Sequence, residues 1–531
     1  KMYTFKYSKD FPFSIASTRP ETKLGDTAVA VHPEDKRYKE YIGKEYSFEF
    51  AGEPITVTII GDTEVDPEFG TGALGVTPAH SLTDWEMAQR HDLPLKQVIN
   101  EYGKMMVGMD GVKDQKAAMA RDAVVAWLRN ENLLEKEEDI EQSIATAERT
   151  GGIIEPLPKM QWWIDVHSTF PYPHDSLKGI KQGQEVSLKD LMLHVVESGQ
   201  VTIMPDRFDK TYRHWIENLR DWNISRQIFF GHQIPAWYPL KNSENSLDGI
   251  KVSMESPGKN WVQDEDTLDT WFSSGLWSFS TLGWPEQTDD FKTYHPTNIL
   301  NPGYEILPLW VSRMILMSTF LVGDIPFREV YIHGMLRDKD GRKFSKSLNN
   351  GIDPLEVIEQ YGTDALRMAL TIGVTPGQDM SFDLQKVKAY SKFANKLWNI
   401  ARFVLSETSA VTTNENPIYT PRDKELLDEQ TSLIQEITRE MNENKLYLVA
   451  EKLYHYVWHT FADHILEESK RIFDTEDNTA ITSRKIFLRH SLKLILKTLH
   501  PFMPFITEEI WQSVKDENDR DILMTVAWPI L

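Results

Sequence analysis

Two lysines and two serines interleave in Lys343-Phe344-Ser345-Lys346-Ser347, inside the basic run Gly341-Arg342-Lys343-Phe344-Ser345-Lys346-Ser347-Leu348-Asn349-Asn350-Gly351. Two ammonium groups and two hydroxyls this close can reach one polyphosphate and neutralise the charge that develops when a phosphoanhydride is attacked. The same residues also suit a solvated surface loop, so the neighbouring elements decide. Upstream, Val330-Tyr331-Ile332-His333-Gly334-Met335-Leu336 is apolar enough for a buried strand. Downstream, Asp353 is a good N-cap and Pro354 a good first residue for a helix. A basic loop at the carboxyl end of a strand, facing a helix N-terminus, is where open α/β sheets take nucleotides.

Two further polar loops lie near the start. Thr18-Arg19-Pro20-Glu21-Thr22 offers hydroxyls, a guanidinium and a carboxylate beside a strand end. In Gly70-Thr71-Gly72-Ala73-Leu74-Gly75-Val76-Thr77-Pro78-Ala79-His80-Ser81-Leu82-Thr83-Asp84 the glycines let backbone amides approach a ligand. Asp84 is placed to hold an ammonium group, or, with Thr83, to open a helix through Arg90. Around these loops, strand-like runs at 11–17, 28–31 and 55–60 alternate with Gly and Pro turns, and 116–130 reads as a helix.

From Gly151-Gly152 the chain turns Trp-rich and layered. Strand-like runs at 227–230 and 330–333 are separated by helical ones such as 309–321, which predicts a doubly wound α/β part. Trp271, in Asp269-Thr270-Trp271-Phe272-Ser273-Ser274, is either an aromatic wall for an apolar side chain or a core residue. Beyond about 380 come long helices of period 3.6. Lys388, Lys392 and Lys396 line one face; Lys485, Arg489, Lys493 and Lys497 line another, in a span, 481–500, without an acidic residue. Each stripe is a phosphate-contacting candidate or a solvated face. Tyr447, Tyr454, Trp458 and Phe461 recur at helical spacing, as core residues do.

Composition bounds the rest. A chain of 531 residues with 40% hydrophobic content supports roughly two to four domains, and no apolar run is long enough to cross a bilayer. Cys is absent, so disulfides and thiolate zinc sites are excluded. The net charge of −22 argues against a wholly nucleic-acid-binding surface, while leaving room for a local basic face.

The Lys343 to Ser347 string resembles the Lys-Met-Ser-Lys-Ser signature of class I aminoacyl-tRNA synthetases, with Phe344 at the apolar anchor, and His333-Gly334 matches that family's adenosine-contacting pair. Arg19-Pro20-Glu21-Thr22, Leu24-Gly25-Asp26-Thr27-Ala28-Val29-Ala30-Val31-His32-Pro33-Glu34-Asp35 and Thr77-Pro78-Ala79-His80 resemble the family's proofreading insertion, most closely in its valyl branch. Asp269 to Ser274 is close to the family's Asp-Thr-Trp-Phe-Ser-Ser, and Asn301-Pro302-Gly303-Tyr304-Glu305 to a segment that usually ends in Asp. The start of the helical part, Lys392-Phe393-Ala394-Asn395-Lys396-Leu397-Trp398-Asn399, resembles that of the branch's anticodon-binding domain. Three departures stand out: Gly75 where the branch commonly has Lys, Ser81 where it has Asp, and Glu305. The first two are expected to remove a cation and a carboxylate from the editing pocket. Phe229-Phe230-Gly231-His232 echoes the family's His-x-Gly-His but lacks its first His, so that element is expected to lie outside this chain.

The resemblance therefore implies an editing domain at 1–150, the second half of a class I Rossmann-type catalytic domain at 151–380, and a helical anticodon-binding bundle at 381–531. It implies ATP, Mg2+ carried with the nucleotide, valine and tRNA as cofactors and partners, and a cytoplasmic monomer with no zinc. Lys343, Ser345, Lys346 and Ser347 would be catalytic; His333, Gly334 and Lys346 would bind ATP; Trp271 and Glu305 would bind the amino acid. Thr18, Arg19, Glu21 and Asp84 would serve editing, and the two basic stripes would bind tRNA. The chain opens at Lys1 in what reads as mid-strand, so a piece of a longer protein, unable to aminoacylate alone, is expected. An isoleucyl-specific enzyme and a tRNA-binding or trans-editing hydrolase are the alternatives. Thr77-Pro78-Ala79-His80 and Thr375-Pro376-Gly377-Gln378-Asp379 speak against the former.

Overall fold

The computed structural model describes residues 1–147, 150–240, 249–344, 348–409 and 418–530. They form two compact units, Lys1–Gln161 and Trp162–Leu531.

The first unit holds two sheets. Strand β1 (Met2–Phe5) lies between β2 (Ile15–Ser17) and a later strand, Leu134–Glu138, all antiparallel. The second sheet has the order β4 (Glu45–Phe50), β5 (Glu53–Gly61), β3 (Ala28–Val31), β6 (Ala73–Val76), with β3 and β5 parallel and the other pairs antiparallel. All four residues of β3 are buried, as befits a β-branched and Ala-rich strand covered on both faces. The strand expected over 11–17 is confined to β2, because Phe11 and Phe13 leave the ladder to join an aromatic core with Tyr7, Phe48 and Phe50. Helix α1 (Leu82–His91) follows β6 directly, and helix α2 (Ala117–Asn130) covers the core with Ala120, Val124, Val125 and Leu128.

In the second unit, strand Phe327–Tyr331 is the centre of a parallel three-stranded sheet, flanked by Thr202–Met204 and Thr297–Leu300. Helices Leu188–Glu197 and Ser312–Leu321 pack into the same core, the latter continuing from a π-helical turn at Leu307–Val311. The strand expected at 227–230 is absent: pairing stops at Ser225–Arg226, and Ile228, Phe229 and Phe230 are exposed. Apolarity alone could not distinguish that run from a buried strand. The helix opened by Asp353 forms as read, the carboxylate accepting from the Leu355 amide with Pro354 in the first turn.

Long helices follow, Leu384–Thr408, Pro421–Asn442 and Asn478–Leu499, around one core that includes Phe393, Leu397, Leu453, Phe461, Leu492 and Trp511. That core runs back to Val357 and Met368, so the bundle and the helices after the basic loop are packed as one body. Among the described residues no helix is long and apolar enough to cross a membrane.

Candidate functional sites

In the second unit the end of the central strand is pinned to two loops. The His333 amide donates to the Pro302 carbonyl at 3.0 Å, and Ile332 to Met204 at 2.8 Å, so His333 sits where the sheet ends, beside Gly303. His333 is exposed, and its Nδ1 donates to the Gly334 carbonyl at 2.7 Å. Because a carbonyl only accepts, Nδ1 carries a proton, and in the neutral ring Nε2 is then an acceptor.

The basic loop is shaped by two carboxylates that sequence reading passed over. Asp338 accepts from the Asn350 amide at 2.9 Å, the Arg342 guanidinium and the backbone of Asp340 and Arg342. Asn350, with those other donors, holds the Asp338 carboxyl well below the usual range. Asp379 accepts from the Met335 amide at 2.8 Å, Tyr304 Oη at 3.2 Å and Arg337. Burial pushes Asp379 up, yet these donors outweigh it and its carboxyl lies below the ordinary value. Asp338 does carry a sequence signal, Asp-Lys-Asp-Gly-Arg, with Gly341 at φ +78° completing the turn.

Lys343 is exposed and forms an ion pair with Glu305. The Glu305 carboxylate thus has its partner in the basic loop itself. Ser345, Lys346 and Ser347 lie outside the described residues. Trp271 is half-buried against the α/β core. Its helix, Thr270–Gly275, is capped by Asp269 and tied to the turn after Glu305 by Trp310 Nε1, which donates to the Ser274 carbonyl at 2.9 Å.

In the first unit, the Arg19 loop and the Thr77 to Asp84 loop are both well ordered by hydrogen bonds. Thr18 is half-exposed and its hydroxyl makes no hydrogen bond among the described residues. Glu21 does not line a pocket as expected: it is fully buried and accepts from Arg121 at 2.8 and 2.9 Å, with Arg19 Nε at 3.4 Å. A carboxylate with no exposed atom needs such a partner. Asp84 is buried, accepting from the Thr77 amide at 2.7 Å and the Ser81 hydroxyl at 2.9 Å. Ser81 caps α1, so the residue that departs from the family pattern orients Asp84. Two lone-pair positions remain on the Asp84 carboxylate for a further donor.

Position 75 carries no cation, as its glycine requires, but a residue whose role sequence reading missed brings an ammonium beside it. Lys23, buried, donates to the Gly75 carbonyl at 2.6 Å, Thr77 Oγ1 at 2.8 Å and Asp26 Oδ1 at 3.2 Å. Asp26 also accepts from Thr77 and from the Tyr7 hydroxyl. Burial holds Tyr7 well above its usual pKa, so it keeps its proton and serves as donor. A Cβ at position 75 would collide with Asp26 Oδ2 and the Tyr7 hydroxyl. The ammonium beside this strand thus comes from position 23, and the space a side chain at 75 would take is filled by Asp26 and Tyr7. Glu155, beyond the expected boundary at 150, also reaches this region, pairing with Arg19 at 2.7 Å.

Of the basic stripes, Lys388 and Lys392 are exposed with no ion pair among the described residues, whereas Lys396 pairs with Asp463 at 2.6 Å and lies over Trp458. The second stripe is not a free cationic face. Arg489 and Lys493 pair with Asp516, Lys493 also with Asp519 at 2.5 Å, and Lys485 sits 3.9 Å from Glu407. Burial lowers the pKa of Lys497, beside Trp511. The acids that neutralise this helix come from other segments, invisible to a search for acids within 481–500.

In chain order, a central parallel strand, a basic loop and a helical bundle follow one another. The chain belongs to the class I tRNA synthetases: the family model described as tRNA synthetases class I (I, L, M and V) matches residues 18–383, and that of the anticodon-binding domain of tRNA ligase matches 423–530. Among curated relatives, the valine–tRNA ligase of Bacillus licheniformis is 43% identical over 97% of this chain and 56% of its own length. That of Bacillus subtilis is 41% identical over the same shares. The chain spans about half the length of the curated relatives it matches. Among solved structures, apo methionyl-tRNA synthetase of Mycobacterium tuberculosis aligns with a TM-score of 0.51 at 16% identity, covering 70% of this chain and 65% of that one, which is a likeness of fold.

Proposed function

We propose that this chain carries the second half of a valine-activating site, a tRNA-binding bundle and a domain that hydrolyses threonine wrongly esterified to valine tRNA. The observation that supports the activating site most directly is the convergence of His333-Gly334, Glu305 and the basic loop at one strand end. There the valine carboxylate would attack the α-phosphorus of ATP with loss of pyrophosphate. Lys343 and Lys346 would stabilise the developing charge, Ser345 and Ser347 would hydrogen-bond the phosphates, and Trp271 and Glu305 would hold the amino acid. Mg2+ would travel on the nucleotide's phosphates, as it commonly does; the described residues contain no cluster of three metal-ligating side chains.

For the first unit, Thr18, Arg19 and Asp84 would receive the aminoacylated tRNA end, with water as nucleophile and Asp84 holding the α-ammonium. An apolar activating pocket rejects an added hydroxyl poorly, and valyl enzymes are themselves the standard example of that limit, with a known discrimination of about 10² between valine and threonine. A second, polar site corrects the error. The chain is expected to release threonine from mischarged valine tRNA at least about tenfold faster than it releases valine, and Asp84→Ala to remove the difference. Equal release of both amino acids, or none with tRNA binding intact, would refute this.

For tRNA, Lys388 and Lys392 remain the phosphate contacts we favour. Reversing the charge of both should weaken tRNA binding and make the log-affinity against log-salt slope shallower by roughly 0.7 to 0.9 per residue. An unchanged slope would assign them to solvent. The same reversal at Arg489 or Lys493 is expected to act on folding stability, because their partners Asp516 and Asp519 would be left facing a like charge.

A further inference from the structure

Glu155 touches both polar loops of the first unit at once. Its Oε2 accepts from Arg19 Nη2 at 2.7 Å, and its Oε1 faces His80 Nδ1 at 3.5 Å. The His80 ring is oriented from its far side: Nε2 accepts from the amides of Val98 at 2.9 Å and Ile99 at 3.2 Å. An acceptor nitrogen carries no proton, so in the neutral ring the proton sits on Nδ1 and is aimed at Glu155. Both atoms of this facing pair are buried and otherwise unpartnered, and 3.5 Å is a few tenths of an ångström beyond a good hydrogen bond. An approach of a few tenths of an ångström would make the bond, as catalytic hydrogen bonds commonly tighten between free and complexed protein.

The segment that carries Glu155 is itself fixed. Thr146 and Ile153 form an antiparallel bridge, Leu157 packs against the aromatic core, and Lys159 pairs with Glu101 at 3.2 Å. Burial pushes the Glu155 carboxyl up, but His80 and Arg19 prevail and hold it below its ordinary value, so it is charged at neutral pH. Arg19 is thereby held by Nη2 to Glu155 and by Nε to Glu21, while its Nη1 makes no hydrogen bond among the described residues and the side chain stays 30% exposed. The two Nη1 N–H groups are left for an oxygen acceptor on a guanidinium fixed at its other two nitrogens.

We propose that Glu155 is a positioning residue of the hydrolytic site, aiming Arg19 Nη1 at an oxygen of the esterified 3′ end of tRNA. This rests on the editing reading of the first unit. Glu155 acts through Arg19, and its loss should lower the rate of threonine release by about 10- to 100-fold, the scale of misplacing an orienting group by an ångström.

The test uses the full chain as parent, Glu155→Ala, Arg19→Ala and the double variant. Two readouts are taken: hydrolysis of threonylated valine tRNA, and binding of a threonylated adenosine whose ester is replaced by an amide. Each single variant should lose most of its effect in kcat, with KM shifted less, bind the amide analogue about tenfold more weakly, and the double variant should be no worse than Arg19→Ala. Additive losses, or a Glu155→Ala chain that hydrolyses and binds like its parent, would overturn the proposal. If Glu155→Ala fails to fold, Glu155→Gln serves, since an amide can satisfy only one of its two facing donors. A parent that binds the analogue without hydrolysing it defeats the editing reading and still decides Glu155 by the binding cycle. A parent that does neither overturns both.

Discussion

Gly334→Ala should destabilise the second unit by at least about 3 kcal/mol and abolish nucleotide binding at the strand end. A Cβ at 334 would fall inside the Gln378 carbonyl and lie 2.7 Å from the Asp379 amide nitrogen, all of it backbone. The backbone at 334 is not in the left-handed region, so the cost is contact and not strain. Nor can the opposing loop yield cheaply. Met380 donates to the Met335 carbonyl at 3.1 Å, Asp379 accepts from the Met335 amide at 2.8 Å, and Arg207 holds the Pro376 carbonyl at 2.9 Å. Separating residues 334 and 378 breaks that set together. Calorimetry of the purified variant beside a nucleotide titration checks it; a parental melting profile with parental affinity would show that the two backbones are not in contact in solution.

The place of the His-Gly pair at the end of a buried strand was thus legible in the sequence, while the reason for its glycine was not, because Gln378 is 44 residues away. The same division recurs elsewhere. Local signals survived: the Asp353 cap, the buried run 28–31 and the helix over 116–130 are all set by residues within one or two turns of each other. Signals that depend on what faces a residue did not. The run at 227–230 is apolar and exposed, Glu21 pairs with an arginine 100 residues on, and the basic helix 481–500 meets its acids at 516 and 519. A charge read along one helix says nothing about the charge packed across from it. Glu155 shows the same limit from the other side, since its only mark in the sequence is proximity to Gly151-Gly152.

Positions 23 and 75 should behave as one unit in stability measurements. Lys23→Met leaves the Asp26 carboxylate buried without its ammonium, a loss of about 3 to 5 kcal/mol where one partner of a buried pair is removed. The deficit should depend on pH in a stated direction. Burial already raises the Asp26 pKa above 3.8, with Lys23 as the main opposing influence, so removing Lys23 raises it further. A carboxyl that is harder to ionise in the folded than in the unfolded chain favours folding in acid, and that advantage is lost as pH climbs from 3.8 through the raised value. Lys23→Met is therefore expected to approach its parent in acid and fall away above. Gly75→Lys in the parent background adds a second side chain where Asp26 Oδ2, the Tyr7 hydroxyl and Lys23 Cδ, the last at 3.0 Å, already fill the space, and is destabilising by overpacking. In the double variant Asp26 is released from its bond to the Lys23 ammonium, and a cation is again supplied to it from position 75. It should recover at least about 1 kcal/mol relative to the sum of the single losses. Strict additivity in urea titrations would mean that the ammonium at 23 and the missing side chain at 75 are unrelated, and that the glycine answers only to Asp26 and Tyr7.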